Sequence, residues 1–330
     1  MTDHSKVLVT GGAGYIGSHT VLALIAAGYD VVVYDNLSTG HQEAVLPPAR
    51  LIQGDLGDTE KLDNLFAREQ FSSIIHFAAS IVVPESVTDP LKYYHNNTVK
   101  TTGLIQAAVR HDLQHFIFSS TAAVYGIPEH LPVPETAPLA PINPYGRSKL
   151  MSEWVLQDAS RACPSFRHVI LRYFNVAGAD PGGRIGQSTP DATHLIKVAS
   201  QTALGQRDAL HIFGTDYPTR DGTGIRDYIH VTDLAEAHVL ALKHLQGGHD
   251  SGIYNCGYGH GYSVREIVSA VQGIGKTRVP VHESPRRAGD PAELVSDPKK
   301  IMQDLNWHPD FDDIEKIVET AYLWEKNRTF

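Results

Sequence analysis

What this 330-residue sequence lacks excludes several classes of protein. Its two cysteines, Cys163 and Cys256, lie far apart and form no metal-binding or redox motif. The formal net charge is −9 and no long basic run occurs, which argues against binding to nucleic acid or to an anionic membrane surface. The eighteen histidines match no zinc spacing, so no metal is expected. Without a signal-like N-terminus or a run of membrane-spanning length, the expected location is the cytoplasm.

A glycine-rich loop near the N-terminus indicates a dinucleotide site. An apolar strand at residues 6–10 runs directly into Gly11, Gly14 and Gly17, and an apolar helix follows. Gly11 permits a tight turn, Gly14 lets a pyrophosphate approach the backbone, and Gly17 lets helix and strand pack closely. Asp35 closes the next predicted strand, at about the distance that the dinucleotide fingerprint requires.

Asp35 also indicates which dinucleotide is bound. A carboxylate at this position accepts hydrogen bonds from ribose hydroxyls and repels a 2′-phosphate. No arginine stands at the three following positions, 36–38, to favour that phosphate. The sequence therefore predicts NAD rather than NADP.

A second motif, at residues 117–149, indicates chemistry at a hydroxyl group. Tyr145 and Lys149 are four residues apart at the start of a predicted helix, so they share one face. A lysine ammonium favours the phenolate and lowers the pKa of a neighbouring tyrosine, which would make Tyr145 a base. Thr121 or Ser120, at the end of the preceding strand, could hold the substrate oxygen that gives up its proton.

The rest of the first half alternates strands and helices. Apolar runs, rather than alternating patterns, indicate a parallel sheet that is covered by helices on both faces, which is the doubly wound Rossmann class. Residues 91–111 are predicted to form one long helix. Ligands of such sheets lie at the carboxyl ends of the strands. We predict a Rossmann domain at residues 1–174 and a smaller, mixed α/β substrate domain at 175–330, from which some segments return to the first.

Three arginines in the irregular second half are candidates for an anionic ligand: Arg226, Arg286 and Arg287. A diphosphate is well matched by bidentate guanidinium donors. About 60 residues separate Arg226 from the other two, so their convergence is a hypothesis from residue chemistry.

Six motifs together resemble the extended short-chain dehydrogenase/reductase superfamily, and within it the UDP-glucose 4-epimerases. The superfamily is indicated by the glycine loop, the strand-end SST and the Tyr-Lys pair. The likeness to the epimerases lies in LRYFNVAGA at 171–179, GTGIRDYIHV at 222–231 and RRAGD at 286–290. It extends over essentially the whole chain.

The resemblance implies an NAD-dependent epimerase that interconverts UDP-glucose and UDP-galactose, with tightly held NAD and a homodimer. It implies that Tyr145 is the base, Lys149 holds the nicotinamide ribose, and Thr121 bonds the 4-oxygen of the sugar. The residues implied to line NAD, besides the three glycines, are Tyr15, Ile16, Asp35, Asn36, Asp55, Leu56, Phe77, Ala78, Ala79, Asn97, Ser119, Tyr145, Lys149 and Tyr173. The residues implied to hold the UDP-hexose, besides Thr121, are Asn175, Leu195, Phe213, Arg226, Arg287, Asp290 and Leu294.

The sequence departs from the family pattern at three positions. Thr121 stands where many members have serine, which keeps the hydroxyl. Ile81 stands where some have a lysine near NAD, so that contact is absent. Leu294 stands where some have a bulky tyrosine at the sugar end of the site. The smaller side chain predicts additional activity on UDP-N-acetylglucosamine and UDP-N-acetylgalactosamine.

Two other functions fit part of the pattern. The first is another nucleotide-sugar enzyme of the same fold, a 4,6-dehydratase or a decarboxylase. Related dehydratases carry an acid pair directly after the strand-end threonine, whereas this chain has Ala122 and Ala123, which cannot transfer protons. The second is a regulator that binds NAD without chemistry, which would have no use for the Tyr145–Lys149 pair.

Overall fold

The structure is a computed structural model, and it describes residues 5–190, 192–287 and 290–330. Strands and helices are numbered in chain order within these residues. The strands are β1 Lys6–Thr10, β2 Asp30–Asp35, β3 Arg50–Gln53, β4 Ser73–His76, β5 His115–Thr121, β6 Arg167–Tyr173, β7 Asn175–Ala177, β8 Leu210–Phe213, β9 Ile225–Arg226, β10 Tyr228–His230, β11 Gly252–Cys256, β12 Tyr262–Ser263, β13 Val281–Ser284 and β14 Glu293–Leu294. The α-helices are α1 Tyr15–Ala26, α2 Thr59–Glu69, α3 Val83–Thr88, α4 Pro90–Tyr93, α5 Lys100–Arg110, α6 Pro144–Ala162, α7 Leu195–Ala203, α8 Val231–Gln246, α9 Val264–Gly275, α10 Lys299–Asp304 and α11 Ile314–Asn327.

A parallel sheet of seven strands lies at the centre, in the order β11-β6-β5-β4-β1-β2-β3. The order reverses between β1 and β4, which creates a crevice at the carboxyl ends of the strands. Strand β11 comes from the second half of the sequence and pairs with β6 at the edge of the sheet. The predicted doubly wound parallel sheet is confirmed.

Two hydrophobic clusters cover the two faces of this sheet. Alternate residues of β1 divide between them, since Val7 and Val9 belong to one cluster and Leu8 to the other, and all three are fully buried. Helices α1 and α8 pack together on the first face, whereas α2, α5 and α6 cover the second. Burial on both faces explains why the strands are apolar runs rather than alternating patterns.

The predicted long helix at residues 91–111 is wrong in one respect, because it is interrupted. Helix α4 leads into a π-helical segment, Tyr94–Val99, before α5 begins. A π-turn inserts extra residues into the helix and redirects its side chains. Here it turns Asn97 into the interior, where the residue is 1% exposed. Hydrophobic periodicity does not reveal such a turn.

Small sheets in the second half bring distant segments together beside the crevice. Strand β9 pairs with β12 and β14, β8 pairs with β13, and β7 pairs with β10. Strand β9 therefore places Arg226 beside Leu294 in register. In the part of the chain that the structure describes, no helix is long and apolar enough to cross a membrane.

Candidate active site

The glycine loop is shaped by close backbone approaches. Gly11 has φ +73° and donates its N–H to the Tyr34 carbonyl at 3.0 Å, and a Cβ on Gly11 would lie 2.6 Å from the Ala78 nitrogen. A Cβ on Gly17 would lie 2.2 Å from the Gly11 carbonyl oxygen, so any side chain there would separate helix from loop. Gly14 caps α1 without a side chain, and the first turn carries no acidic residue. The helix N-terminus therefore suits a diphosphate, as predicted from the fingerprint.

Asp35 lies at the end of β2, beside this loop. Its carboxylate accepts hydrogen bonds from the amides of Ala13 at 3.0 Å and Leu37 at 2.8 Å, and the residue is 8% exposed. Both bonds hold the carboxylate in one orientation at the mouth of the loop. This geometry fits an acceptor for ribose hydroxyls, as required for NAD.

Replacing Asp35 by Ala is expected to weaken NAD binding and to relax the bias against NADP. The change removes the acceptor for the ribose hydroxyls together with the charge that repels a 2′-phosphate, and each lost hydrogen bond to a charged group is worth about 1.5–3 kcal/mol. The measurement is calorimetric titration of the apoprotein with both dinucleotides. An unchanged ratio of the two affinities would contradict the role assigned to Asp35.

Asp55, which the resemblance implies lines NAD, is held by three neighbours. Its carboxylate accepts from Lys100 at 2.7 Å, from the Gly57 amide at 2.7 Å and from Asn36 at 2.8 Å. Burial acts to raise the pKa of Asp55, but these partners outweigh it and hold the pKa at about 2. Leu56, the next residue, is 6% exposed and packs in the second core cluster. The sequence analysis missed Lys100, since nothing local connects it to Asp55.

Asn97, also predicted to line NAD, uses its amide to support the loop after β4. Its Oδ1 accepts from the Ser80 amide at 2.8 Å, and its Nδ2 donates to the Ser80 carbonyl at 2.9 Å and to Ser148 Oγ at 3.0 Å. The side chain thus joins the segment that contains Ala78 and Ala79 to α6. Phe77 packs against His238, with 4.7 Å between the ring centroids.

The start of α6 sets the positions of the two predicted catalytic residues. Asn143 caps the helix by accepting from the Gly146 amide at 2.9 Å, and Pro144 occupies the first turn. A Cβ on Gly146 would lie 2.6 Å from the Ala123 carbonyl oxygen, so this glycine allows α6 to approach the turn after β5. As a result the Tyr145 phenol forms a hydrogen bond with Thr121.

Lys149 lies one helical turn after Tyr145 and is 3% exposed. Its Nζ donates to the Ser119 carbonyl at 2.8 Å and lies 4.9 Å from the centroid of the Phe118 ring. Tyr145, Lys149 and Thr121 therefore meet at the carboxyl end of β5, as the motif spacing predicted.

The pKa values of Tyr145 and Lys149 differ from the prediction that the lysine lowers the pKa of the tyrosine. Burial raises the pKa of Tyr145, and the hydrogen bond with Thr121 opposes this shift only in part. Burial lowers the pKa of Lys149 to about 7, and the charge of Glu153 acts in the opposite direction. Desolvation of the phenol outweighs the opposing influences, so the net shift of the Tyr145 pKa is upward and not downward as the Tyr–Lys spacing predicts.

Two tyrosines join the strand ends to the rest of the site. The Tyr173 hydroxyl is hydrogen-bonded to Ser119 Oγ, so two residues predicted to line NAD contact each other. The Tyr15 hydroxyl, at the start of α1 and next to Ile16, donates to the Gly178 carbonyl at 2.6 Å. Tyr15 therefore ties the first half of the chain to the loop that follows β7.

The second half brings together four residues predicted to hold UDP. Arg226 contacts Asp290 at 3.3 Å, and the Arg287 guanidinium carbon lies 3.8 Å from the centroid of the Phe213 ring. Asp290 donates its amide to the Arg287 carbonyl at 3.3 Å, which links the two contacts. Arg286 is directed elsewhere, since it pairs with Asp216 and stacks on Tyr217. The structure thus separates the two adjacent arginines.

The three remaining predicted substrate residues lie in two places. Asn175 and Leu195 line one small cavity together with Tyr15 and Tyr228. Leu294 is half-buried and packs against the cluster that contains Ala122 and its neighbours in the turn after β5. Among the described residues, no group of three or more His, Cys, Asp and Glu is placed to hold a metal ion.

Comparison with known proteins decides the family. The model of the NAD dependent epimerase/dehydratase family matches residues 7–257, which include the glycine loop, Asp35, Tyr145 and Lys149. The chain belongs to this family.

Members of the family resemble the chain over nearly its full length. The UDP-glucose 4-epimerase of Azospirillum brasilense is 54% identical over 331 residues, which cover 99% of this chain and 95% of that protein. The solved structure of UDP-glucose 4-epimerase from Brucella ovis in complex with NAD has a TM-score of 0.94 and 46% identity, and the match covers 97% of this chain and 98% of that one. The UDP-Glc/GlcNAc 4-epimerase of Campylobacter jejuni has a TM-score of 0.86 and 52% identity, with 98% of this chain and 99% of that chain covered.

The matches confirm several predictions made from the sequence. These are the resemblance to UDP-glucose 4-epimerases, the doubly wound fold, the enzyme class and NAD as the cofactor. The roles of individual residues stay predictions, which the geometry described above supports.

Sequence reasoning missed one buried ion pair near the catalytic residues. Glu153 of α6 pairs with Arg172 of β6 at 2.6 Å, and the two side chains are 0% and 2% exposed. A signal was present, because Glu153 follows Lys149 by four residues and so shares its helical face.

Proposed function

We propose that this chain interconverts UDP-glucose and UDP-galactose by inverting the configuration at C4 of the sugar. The observation that carries the proposal is the meeting of Thr121, Tyr145 and Lys149 at the end of β5, on the side of the sheet where the glycine loop lies. A hydroxyl that loses its proton to Tyr145 in this place would do so next to the cofactor site.

When bound, NAD would supply reversible hydride transfer at C4 of the sugar and would be retained by the enzyme as a catalyst. Gly11, Gly14, Gly17 and Asp35 are placed to hold its diphosphate and ribose. In the first half of the reaction Tyr145 takes the proton of the 4-hydroxyl, while Thr121 accepts or donates a hydrogen bond at the same oxygen. In the second half Tyr145 gives the proton back. Lys149 supplies a positive charge that favours the phenolate form of Tyr145.

Inversion requires the 4-keto sugar to turn over while it stays bound. Arg226 and Arg287, with Phe213 and Asp290, are placed to anchor the UDP part, and Asn175 and Leu195 lie in the neighbouring cavity. Guanidinium groups grip a diphosphate by paired hydrogen bonds. The contacts to UDP then supply the binding energy at a distance from the reacting carbon, and the sugar stays free to rotate.

The purified protein, given UDP-galactose and no added NAD, should produce UDP-glucose until the two sugars reach equilibrium. Chromatography of the nucleotide sugars measures both directions. A 4-keto-6-deoxy sugar as the product would instead indicate a 4,6-dehydratase. Ala122 and Ala123 argue against that reaction, since neither can move a proton and Ala122 is buried. If UDP-galactose is not converted at all, the result would favour the alternative of a regulator that binds NAD without chemistry.

We propose that the substrates of the enzyme also include UDP-N-acetylglucosamine and UDP-N-acetylgalactosamine. A UDP-Glc/GlcNAc 4-epimerase is among the proteins that this chain resembles, and Leu294 is smaller than the tyrosine found in some family members. Leu294→Tyr is expected to remove activity on UDP-N-acetylglucosamine selectively, since overfilling a packed site costs about 1–3 kcal/mol, equivalent to roughly tenfold or more in discrimination.

Steady-state kinetics of both substrates, in the parent and in Leu294→Tyr, measure this effect. Leu294→Ile keeps the volume and serves as the control. Equal losses on both substrates would place Leu294 in the core, where its contact with the Ala122 cluster would be purely structural.

We further propose that the protein is cytoplasmic and forms a homodimer. Large apolar side chains are exposed on α3, α4, the π-helical segment and α6, which pack side by side: Val87 is 63% exposed, Leu91 77%, Val99 57% and Trp154 52%. Exposed apolar patches of this kind mark association sites, and a second copy of the chain would cover them symmetrically. Light scattering coupled to gel filtration should give twice the mass of one chain.

A further inference from the structure

A row of polar side chains crosses three neighbouring strands beneath the active site. Ser120 on β5, Arg172 on β6 and Asn255 on β11 are partners in the strand register. The exposed fraction of each is 2% or less. Their neighbours on the same face, such as Phe118 and Ile170, belong to the second hydrophobic cluster. The polar row therefore interrupts an apolar surface.

Glu153 on α6 receives hydrogen bonds from two members of the row. Its Oε1 accepts from Ser120 Oγ at 2.5 Å and from Arg172 Nε at 3.0 Å, and its Oε2 accepts from Arg172 Nη2 at 2.6 Å. Burying such a pair costs desolvation energy that its mutual attraction often does not recover. Leucine and methionine could fill these positions without that cost, so the retained charges need another explanation.

The row continues away from Glu153 into the segments that follow β5. Arg172 Nη1 donates to the Tyr125 hydroxyl at 3.1 Å, and Tyr125 donates to Asn255 Oδ1 at 2.7 Å. Asn255 Nδ2 in turn donates to the Val133 carbonyl at 2.8 Å. The Val133 amide donates to the Val295 carbonyl at 2.8 Å, next to Leu294. The network therefore spans from the catalytic helix to the substrate side.

The hydrogen-bond network lies close to the catalytic residues at two of its members, Ser120 and Glu153. Ser120 lies between Ser119, whose carbonyl accepts from Lys149, and Thr121, which bonds to Tyr145. Glu153 lies one turn after Lys149 on the same helix. Fixing Ser120 to Glu153 thus fixes β5 against α6 at the point where the proton-transfer groups meet.

Charged and titratable groups around Lys149 come from several elements. Tyr145 and Glu153 lie on its own helix, Arg172 on β6 and His76 on β4. Burial, together with the charge of Lys149, lowers the pKa of His76 to about 3, so His76 stays neutral. Glu153 is the carboxylate whose charge opposes the effect of burial on Lys149.

We propose that Glu153 is a positioning residue for the epimerisation. Anchored by Ser120 and Arg172, it fixes the end of β5 against α6, and its charge favours the ammonium form of Lys149. This inference rests on the proposed function and adds to it a residue that touches neither substrate nor cofactor.

The test uses the holoenzyme as purified, with its NAD, and compares three variants with the parent. Glu153→Gln removes the charge, and Ser120→Ala removes one hydrogen bond and no charge. The double variant Glu153→Gln/Arg172→Gln replaces the ion pair by two amides, which avoids leaving a buried guanidinium unpaired. Asp158→Asn is the control, because it removes a carboxylate from an exposed position of the same helix, where Asp158 pairs only with Arg161 in the described structure. The readouts are kcat and KM from pH 5 to 10, NAD content and Tm.

Glu153→Gln and the double variant should lower kcat about tenfold and shift the alkaline limb of the kcat profile by about one unit toward lower pH. The sign follows because loss of the carboxylate makes Lys149 release its proton more readily. Ser120→Ala should lower kcat severalfold without moving the limb, and Asp158→Asn should match the parent. KM should stay near the parental value in all of them.

The proposal would be overturned if both Glu153 variants retain NAD and a cooperative melting transition, and if the alkaline limb of their kcat profiles stays at the parental pH. A double variant that regains the parental kcat would also overturn it, since a purely structural pair would be replaced by two bonded amides. If the parent itself shows no epimerisation, the proposed function fails instead, and the two failures are therefore distinguishable.

Discussion

Tyr145→Phe should lose most turnover while it keeps the fold, the bound NAD and the affinity for UDP. The phenol is the titratable group that contacts Thr121 here, and general acid–base catalysis by a positioned side chain contributes about 10²–10⁴-fold. Phenylalanine keeps the ring, which packs edge-on against Tyr93 with 6.5 Å between centroids. The loss should therefore appear in kcat and not in stability.

The measurement is the rate of UDP-galactose conversion at saturating substrate, together with calorimetric titration with UDP. Thr121→Val is a useful companion, because it removes the hydroxyl partner and leaves the phenol in place. It should lose less than Tyr145→Phe. A Tyr145→Phe enzyme that works at the parental rate would mean that another group takes the proton.

The elements of the first half were predictable because their signals are local. Strand β1 spans Lys6–Thr10, as the sequence predicts, and the apolar helix predicted to follow the glycine loop is α1, Tyr15–Ala26. Both elements are recognisable from apolar residues within one continuous stretch of the sequence. The glycine loop was predictable for the same reason, since tight turn, helix start and acidic strand end lie within one short stretch.

The interrupted helix at 91–111 shows where local signals fail. Its periodicity continues through Tyr94–Val99, but tertiary structure requires Asn97 to reach both Ser80 and Ser148. Only the fold brings those three residues together. The ion pair of Asp55 with Lys100 has the same origin, because the partners come from different βα units.

The neighbouring residues Arg286 and Arg287 show a second limit. Both are arginines in one short motif, and residue chemistry gives them the same prediction. The parallel pairing of β8 with β13 directs Arg287 onto Phe213 and Arg286 toward Asp216. The choice depends on a strand register that joins segments about 70 residues apart, as long-range β pairing commonly does.

Lys149→Ala should lower kcat by about 100-fold at neutral pH and change the shape of the pH profile, since a charge next to the base shifts its pKa by one or more units. In the parent, Lys149 is charged below its pKa and neutral above it, and burial lowers this pKa to about 7. Activity that depends on the ammonium should therefore fall as the pH rises through the Lys149 pKa.

The variant lacks that titration, so its alkaline limb should disappear. Burial alone then raises the pKa of Tyr145, and the residual rate should increase with pH as more phenolate forms. The profile of kcat against pH distinguishes this outcome from a general loss of activity. The assays need saturating NAD, because Lys149 is also expected to hold the nicotinamide ribose. A variant that keeps the parental alkaline limb would show that Lys149 does not set the ionisation of Tyr145.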